Sequence, residues 1–543
     1  MTAMQFDARF LDRLRDAFAA QLPGFLPVQR WFGSKAHRIQ GVELADCVPV
    51  KLQQATALMA FAAVRYDEIP AETYVLPLLW APNERRSEGA ERARVVTVPD
   101  RNSPDEVVLT DACEDAEFLS MMVRAIQGGI SYVGSRGELQ ANATTVLAKL
   151  LPGTAEPPAG RRMKGEQSNT SVIFGESVIL KLFRRVTEGT NPDLEIGLFL
   201  TEKAHFRNVP PLAGALEYHT REGKSMTVGM LQEFVPNRGD AWRHTLASLG
   251  HYLSESFSRF RRGGDSENEL PAFLAGRSVP ADLAEIGHAL EELIGLLGRR
   301  TAELHIALAS GDPESDFSPE PFTAGSRESL KRSIHDLVVQ NFGLLRAKAG
   351  SFPDDLRELA GKALELEDDV LLACHSALDR GIRATCTRIH GDYHLGQVLF
   401  TGDDFFIIDF EGEPARPLAE RRAKRSPLQD VAGMLRSLQY AARAALLSRQ
   451  GPFYGGDRDS QILLERLAGH WQTLASARFL ADYRETAKGA SFLPADPREF
   501  DALLRVHLLE KAVYELGYEL NNRPEWLRIP LRGIQELAGG GRP

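Results

Sequence analysis

His390-Gly391-Asp392, then Gln397, then Asp409-Phe410-Glu411 set three carboxylates and an amide close together in the chain. Phosphoryl transfer calls for these types. One carboxylate receives or orients the proton of an attacking hydroxyl, while oxygen ligands hold Mg²⁺ against nucleotide phosphates. The intervening HGDYHLGQVLF, a Thr401-Gly402-Asp403-Asp404 turn and FFIIDFEGE read as loop, strand, turn, strand and loop, an arrangement that gathers Asp392, Gln397 and Asp409 into one pocket. Asp392 is then the candidate base, and Gln397 and Asp409 are the candidate metal ligands. A lone HGD is ordinarily a turn with a capping Asp; its combination with Gln397 and the DFE outweighs that reading. His390 and His394 have the spacing of two metal ligands on a helix, but Gly391 and its turn-forming neighbours argue against a helix. His390 is therefore assigned to orienting the loop.

A second constellation pairs Lys181, on the strand VILKLF, with Glu195 on the helix that starts at Asn191. A lysine held by a glutamate offers a fixed cation to the α- and β-phosphates of a nucleotide. Alternation puts Lys181 on the face of Ile179 and Phe183, where an ammonium needs a partner. Without other signals, an edge-strand lysine that blocks aggregation is an equal alternative. Upstream, Lys164 to Ser171 occupies the place of a phosphate-covering loop, with Gln167, Ser168, Asn169, Thr170 and Ser171 as candidate nucleotide contacts; one glycine makes it a weak motif. The strand MLQEFV, ending at Pro236, suits a hinge whose backbone reads adenine, through Gln232, Glu233 and Val235.

The elements that must position these groups divide the chain into an N-terminal α+β part, 1–110, an intermediate β-rich part, 111–236, and a helical part, 237–543. At 543 residues the chain exceeds what one core supports. In the first part a helix at Phe10–Leu22 precedes strands at Gly41–Lys51, Ala57–Tyr66 and Thr73–Leu79; in the second, a helix at Asp111–Gln127 precedes a hairpin of Ser171–Phe174 and Val178–Phe183. Asn191-Pro192-Asp193 supplies a cap, a first-turn proline and a dipole-matched acid, three agreeing signals of a helix start. A strand is expected at Met226–Val235. Helices are expected at Leu283–Ala309, Ser329–Ala347, Asp354–Leu378, Leu428–Leu447, Gln461–Tyr483 and Glu499–Leu520.

A net charge of −10 argues against nucleic acid or an anionic membrane as partner. The absence of a long apolar run and of an export signal points to a cytoplasmic protein. Four separated cysteines, with no CxxC, argue against a disulfide scaffold or a cysteine-built zinc site.

In order along the chain, QRWFGSKAHRI, GEQSNTSVIFGESVILKLFRR, NPDLEIGLFL, IHGDYHLGQVLF, FFIIDFEGEPARPLAERRAKRSPLQDVAGMLRS and EKAVYELGYELNNRPEWLRIPL resemble the maltokinases, among the aminoglycoside-phosphotransferase-like kinases. The resemblance implies an α+β, bilobal, protein kinase-like fold with an N-terminal cap and a helical C-terminal lobe across a cleft. It implies ATP and Mg²⁺ as co-substrates, maltose as acceptor, maltose 1-phosphate as product and trehalose synthase as a possible fused or separate partner. It also implies that Asp430 braces the catalytic loop, and that Glu411 belongs with the sugar contacts. Lys511, Tyr514 and Tyr518 share one helix face and offer two aromatic surfaces and a cation to a sugar. The plain alternative is a core stripe with a surface lysine. Another acceptor, such as glucosamine, stays open, as does a non-catalytic partner of a glucan enzyme, although every polar role is filled. The polar stretch Gly263–Pro271 is extra to the pattern.

Overall fold

The computed structural model describes residues 8–53, 55–80, 94–99, 106–152, 156–163, 168–261, 270, 273–274, 281–447 and 457–539. Gln167, Lys164 to Glu166, and all of Gly263–Pro271 except Leu270 lie outside them. The chain separates into two compact units, one running through Glu202 and resuming at Pro210–Pro236, the other comprising Lys203–Val209 and Asn237–Pro543.

Two antiparallel sheets build the first unit. In one, β1 (Ile39–Lys51), β2 (Thr56–Tyr66), β3 (Glu72–Trp80), β4 (Arg94–Pro99) and β5 (Glu106–Asp111) take the order β1-β2-β3-β5-β4. The helix Ala8–Phe25 buries Phe10, Leu14, Phe18 and Leu22 in the core shared with this sheet. In the other, β6 (Ser131–Val133), β7 (Gly137–Ala143), β8 (Gly160–Arg162), β9 (Asn169–Phe174), β10 (Val178–Phe183), β12 (Leu212–Thr220) and β13 (Ser225–Glu233) take the order β6-β7-β12-β13-β10-β9-β8. A short β11 (Arg185–Val186) follows β10 directly but pairs with β3, so one run of chain passes from the second sheet into the first.

The expected helix at Asp111–Gln127 starts later. Asp111 ends β5 and its side chain caps the short turn Ala112–Glu114; Asp115 then caps the helix Ala116–Gly128 by accepting from the Phe118 amide at 2.9 Å. At the other predicted start, Asn191 Oδ1 accepts from the Asp193 amide at 2.9 Å and the helix runs Pro192–Glu202.

The second unit is helical apart from short strand pairs. The single helix expected over Asp354–Leu378 is two, Asp354–Leu364 and Glu367–Leu378, because Glu367, Asp368 and Asp369 form an acidic first turn that favours a new start. Helices Ala241–Arg261 and Arg528–Ala538 add to those expected. The strand pairs are β14 (Glu320–Pro321) with β15 (Thr385–Cys386), which the expectation of a single β interruption did not include, and the expected hairpin of β16 (Val398–Phe400) and β17 (Phe405–Ile407), in register Val398↔Ile407. Asn208, from the short segment Lys203–Val209, ties this hairpin down: its carbonyl accepts from Ile407 N and its amide donates to Phe405 O at 2.9 Å. All four cysteines are buried and free. Among the described residues no helix is long and apolar enough to cross a membrane.

Candidate active site

The β16–β17 hairpin brings two of the candidates, Gln397 and Asp409, into contact. Gln397 Nε2 donates to Asp409 Oδ2 at 2.9 Å, and Ile408 N donates to the Gln397 carbonyl at 3.0 Å. Asp409 has φ 69°, a left-handed conformation that a non-glycine residue adopts at a cost and that recurs at functional sites. The amide engages Asp409 through nitrogen, so its oxygen is the atom it can present to a cation. Amide oxygen and carboxylate are hard donors of the kind Mg²⁺ takes.

The loop before the hairpin is braced from beneath. Asp430 is fully buried on the helix Leu428–Leu447; it accepts from the amides of His390 at 2.8 Å and Gly391 at 2.9 Å and lies 3.2 Å from His305 Nε2. Burial pushes its carboxyl pKa up, but the His305 hydrogen bond, the nearby imidazoles and the Gly391 amide outweigh that and hold it below the usual carboxylate range. His390 Nε2 faces the Ile408 carbonyl at 2.9 Å, which ties the loop to the segment after β17 that carries Asp409. The same helix comes so close that a Cβ on Gly433 would stand 2.5 Å from the Tyr393 carbonyl oxygen.

Asp392 opens onto a cavity of about 440 Å³. Lys511, Tyr514, Glu515, Tyr518 and Glu519 line it from the helix Pro497–Asn522, and Tyr440 and Ser437 from the helix Leu428–Leu447; Asp240, Trp242, His394, Arg523 and Trp526 are also in its wall. Lys511 Nζ lies 3.6 Å from Asp392 Oδ1, 3.8 Å from Glu413 Oε1 and 4.8 Å above the Tyr514 ring. Further along, Tyr440 stacks on Trp526, and Arg523 sits over Tyr518 and Trp526 at 5.1 and 5.0 Å. Lys511, Tyr514 and Tyr518 are thus brought together with Asp392. Glu411 stands outside that lining, and its main-chain carbonyl accepts from Arg421.

The acids of the cavity come with cations. Glu515 Oε2 takes Arg436 Nε at 2.9 Å, with the guanidinium almost wholly buried, and Glu519 takes two hydrogen bonds from Arg523 at 3.0 and 2.8 Å. Glu413, Glu519, Arg436 and Trp242 escape a reading of the sequence, which notes Glu515 only as a charged neighbour of the two tyrosines. The helical spacing of Glu515 and Glu519 beside Tyr514 and Tyr518 was the available signal.

In the first unit, Lys181 Nζ lies 2.9 Å from Asp193 Oδ2 and 5.2 Å from the Phe183 ring centre. Asp193, at the helix start itself and 1% exposed, is thus a partner of Lys181 that the expected pairing with Glu195 did not include. Glu195 follows on the same helix. Thr170 and Ser171 belong to β9 rather than to a loop, Ser171 opposite Lys181; Thr170 is buried with its hydroxyl accepting from Arg184 at 2.9 Å. This takes Thr170 out of direct contact duty, since its one polar atom faces inward. Asn169 pairs with Phe183 at the strand's start, next to exposed Ser168. Gln232 and Glu233 end β13, Gln232 opposite Ile179, and Val235 is buried just before the chain leaves this unit.

Residues 25–115 match the family described as maltokinase N-terminal cap domain, and residues 160–470 match the phosphotransferase enzyme family. The chain is similar to a glucosamine kinase of Mycolicibacterium smegmatis (strain ATCC 700084 / mc(2)155), 24% identical over 400 residues that cover 72% of this chain and 83% of that one. A glucosamine kinase of Streptacidiphilus jiangxiensis is 24% identical over 397 residues, covering 72% and 76%. Among solved structures, a glucosamine kinase in its crystal form B has a TM-score of 0.61 at 18% identity, covering 97% of this chain and 99% of the other. A glucosamine kinase in complex with glucosamine, ADP and inorganic phosphate has a TM-score of 0.59, also at 18% identity, over 96% and 98%. These two likenesses give the fold.

Proposed function

The chain belongs to the phosphotransferase enzyme family and carries a cap of the maltokinase type, and from that premise we propose an ATP-dependent sugar kinase that phosphorylates the anomeric hydroxyl of maltose to maltose 1-phosphate. The observation that carries the choice of acceptor is the cavity beside Asp392. Its lining residues Lys511 to Glu519 extend along one helix for about 12 Å at a rise of about 1.5 Å per residue, a length that suits two pyranose rings. Aromatic surfaces stand at both levels, Tyr514 beside Asp392 and Tyr518 with Trp526 beyond it. Aromatic faces suit the apolar faces of sugar rings.

Glucosamine is the second reading, favoured by the names of the relatives. It carries an ammonium, whereas three of the four carboxylates that line the cavity have a close cation, Asp392 in Lys511, Glu515 in Arg436 and Glu519 in Arg523, and the fourth, Asp240, has Arg243 at 3.7 Å. A neutral sugar asks for no further carboxylate. That balance weighs toward maltose.

Asp392 orients the acceptor hydroxyl and takes its proton as the oxygen attacks phosphorus, and Lys511 offsets the charge that gathers there. Gln397 and Asp409 would hold the magnesium ion, which when bound neutralises charge on the transferred phosphoryl group. On the first unit, Ser168, Asn169 and Ser171 at the start of the β9–β10 hairpin, Lys181 fixed by an acid, and the backbone at Gln232 to Val235 are assigned to ATP. Such an enzyme works in the cytoplasm, where a trehalose synthase is the enzyme class that would supply maltose.

The test is a panel of maltose, glucose and glucosamine with ATP, following ADP release and locating the phosphate by ³¹P and ¹H NMR. Maltose should give the highest kcat/KM, with phosphate at C1. A higher kcat/KM for glucosamine would transfer the assignment to the amino sugar.

A further inference from the structure

The block QRWFGSKAHRI has no part in the chemistry above, yet the fold connects it to the nucleotide hairpin. Arg184 follows β10, three positions after Lys181, and is 1% exposed. Its Nε donates to Thr170 Oγ1 on β9 at 2.9 Å, its Nη2 to Asp111 Oδ2 on β5 at 2.6 Å, and its guanidinium lies 5.3 Å from the centre of the Trp31 ring. Its carbonyl accepts from Val75 N on β3 at 2.8 Å. Trp31 and Asp111 both fall within the residues that match the cap family. One buried side chain therefore touches the cap sheet and the hairpin at once.

The next residue repeats the connection. Arg185 donates to Glu72 on β3 at 2.9 Å, and that carboxylate also accepts from Ser34, Tyr66 and Tyr74. Trp31 and Ser34 of the block thus hold Arg184 and Glu72 from the cap side. A guanidinium with three fixed partners cannot shift without leaving a buried donor or carboxylate unmatched, so the cap sheet constrains where β9 begins and β10 ends.

We propose that Arg184 is a positioning residue through which the cap, by way of Trp31 and Asp111, sets the geometry of the β9–β10 hairpin for ATP binding. This rests on the assignment of ATP to that hairpin. The consequence is selective: loosening the cap contacts weakens ATP and leaves the sugar cavity of the second unit unaffected.

The full chain is tested as Asp111→Asn and Trp31→Leu, with folding checked by circular dichroism melts. Loss of a charge-assisted hydrogen bond should raise the KM for ATP about tenfold, with kcat and the sugar KM held within about twofold. The Kd of a non-hydrolysable ATP analogue, measured without sugar, should rise in parallel. Trp31→Phe keeps a ring beneath the guanidinium and should return the ATP KM to within about twofold of the parent value. Folded Asp111→Asn and Trp31→Leu proteins with unchanged ATP KM, or with equal losses for ATP and sugar, would overturn the proposal. Absence of rescue by Trp31→Phe would do so even where the other variants do not fold. Lys181→Met separates the underlying assignment: an unchanged ATP KM in that variant means the hairpin is not the nucleotide site at all.

Discussion

Lys511 Nζ stands 3.6 Å from Asp392 Oδ1, so the base candidate has a cation beside it before any substrate arrives. The Lys511 side chain is only 21% exposed. Burial pushes its pKa down, but Asp392, then Glu413 and Glu515, outweigh that and raise it above the ordinary lysine value. A raised lysine pKa means that the contact is fully present below about pH 10.4 and fails only as pH climbs through the still higher folded value.

Asp392→Asn removes the proton acceptor and should lower kcat by about 10²- to 10⁴-fold while nucleotide binding is kept. Steady-state kinetics alongside titration of an ATP analogue checks both halves. Since Lys511 keeps its proton, the pH–rate profile of the parent should show no alkaline fall from this group up to about pH 10. A break near neutral pH that vanishes in Lys511→Met would contradict the charge state assigned to it.

Asp430 makes a different kind of prediction, because it acts through the loop it holds. Its depressed pKa means its stabilising contribution is present above about pH 3.9 and is lost as pH falls through the lower folded value. Asp430→Asn leaves amide donors of His390 and Gly391 without their charged acceptor, at a cost of about 3 kcal/mol at neutral pH. Urea melts should show that loss near pH 7, and the gap between variant and parent should narrow below about pH 4. A constant gap across that range would mean the carboxylate charge is not what stabilises the loop.

Those two sites differ in how legible they were. The hairpin that joins Gln397 to Asp409 is local, so turn chemistry and alternation sufficed to bring the two together. The helix start at Asn191 was equally local, yet which acid reaches Lys181 depends on how that helix lies against β10. Asp193, two residues before Glu195, therefore went unread as a partner. Tyr514 and Tyr518 were visible as a helical stripe. The partner that makes Glu515 tolerable in a cavity wall, Arg436, is 79 positions away and left no mark on local spacing. Gly433 in the SPLQDVAG block looked like ordinary helix sequence; only the approach of the Tyr393 carbonyl shows why a side chain does not fit. β12 was missed because LAGALEYHT is rich in small residues and lacks the alternation that marks a half-buried strand.

The two aromatic levels of the cavity lead to the last prediction. Tyr514 lies beside Lys511 and Asp392, where the ring bearing the attacking hydroxyl would sit, whereas Trp526 stacks on Tyr440 at the far end. Removing Tyr514 therefore weakens any sugar, and removing Trp526 weakens only an acceptor long enough to reach it. Tyr514→Ala should raise KM for both maltose and glucose by about tenfold, with ATP affinity nearly intact. Trp526→Ala should raise the maltose KM by a similar factor and leave the weaker glucose KM within about twofold. Trp526 also sits near Arg523, which is bound to Glu519, so Trp526→Phe serves as the control that preserves a ring and should recover most of the maltose affinity. Parallel losses for maltose and glucose in Trp526→Ala would mean that the far aromatic pair does not receive a second sugar ring, and the disaccharide reading would lose its physical basis.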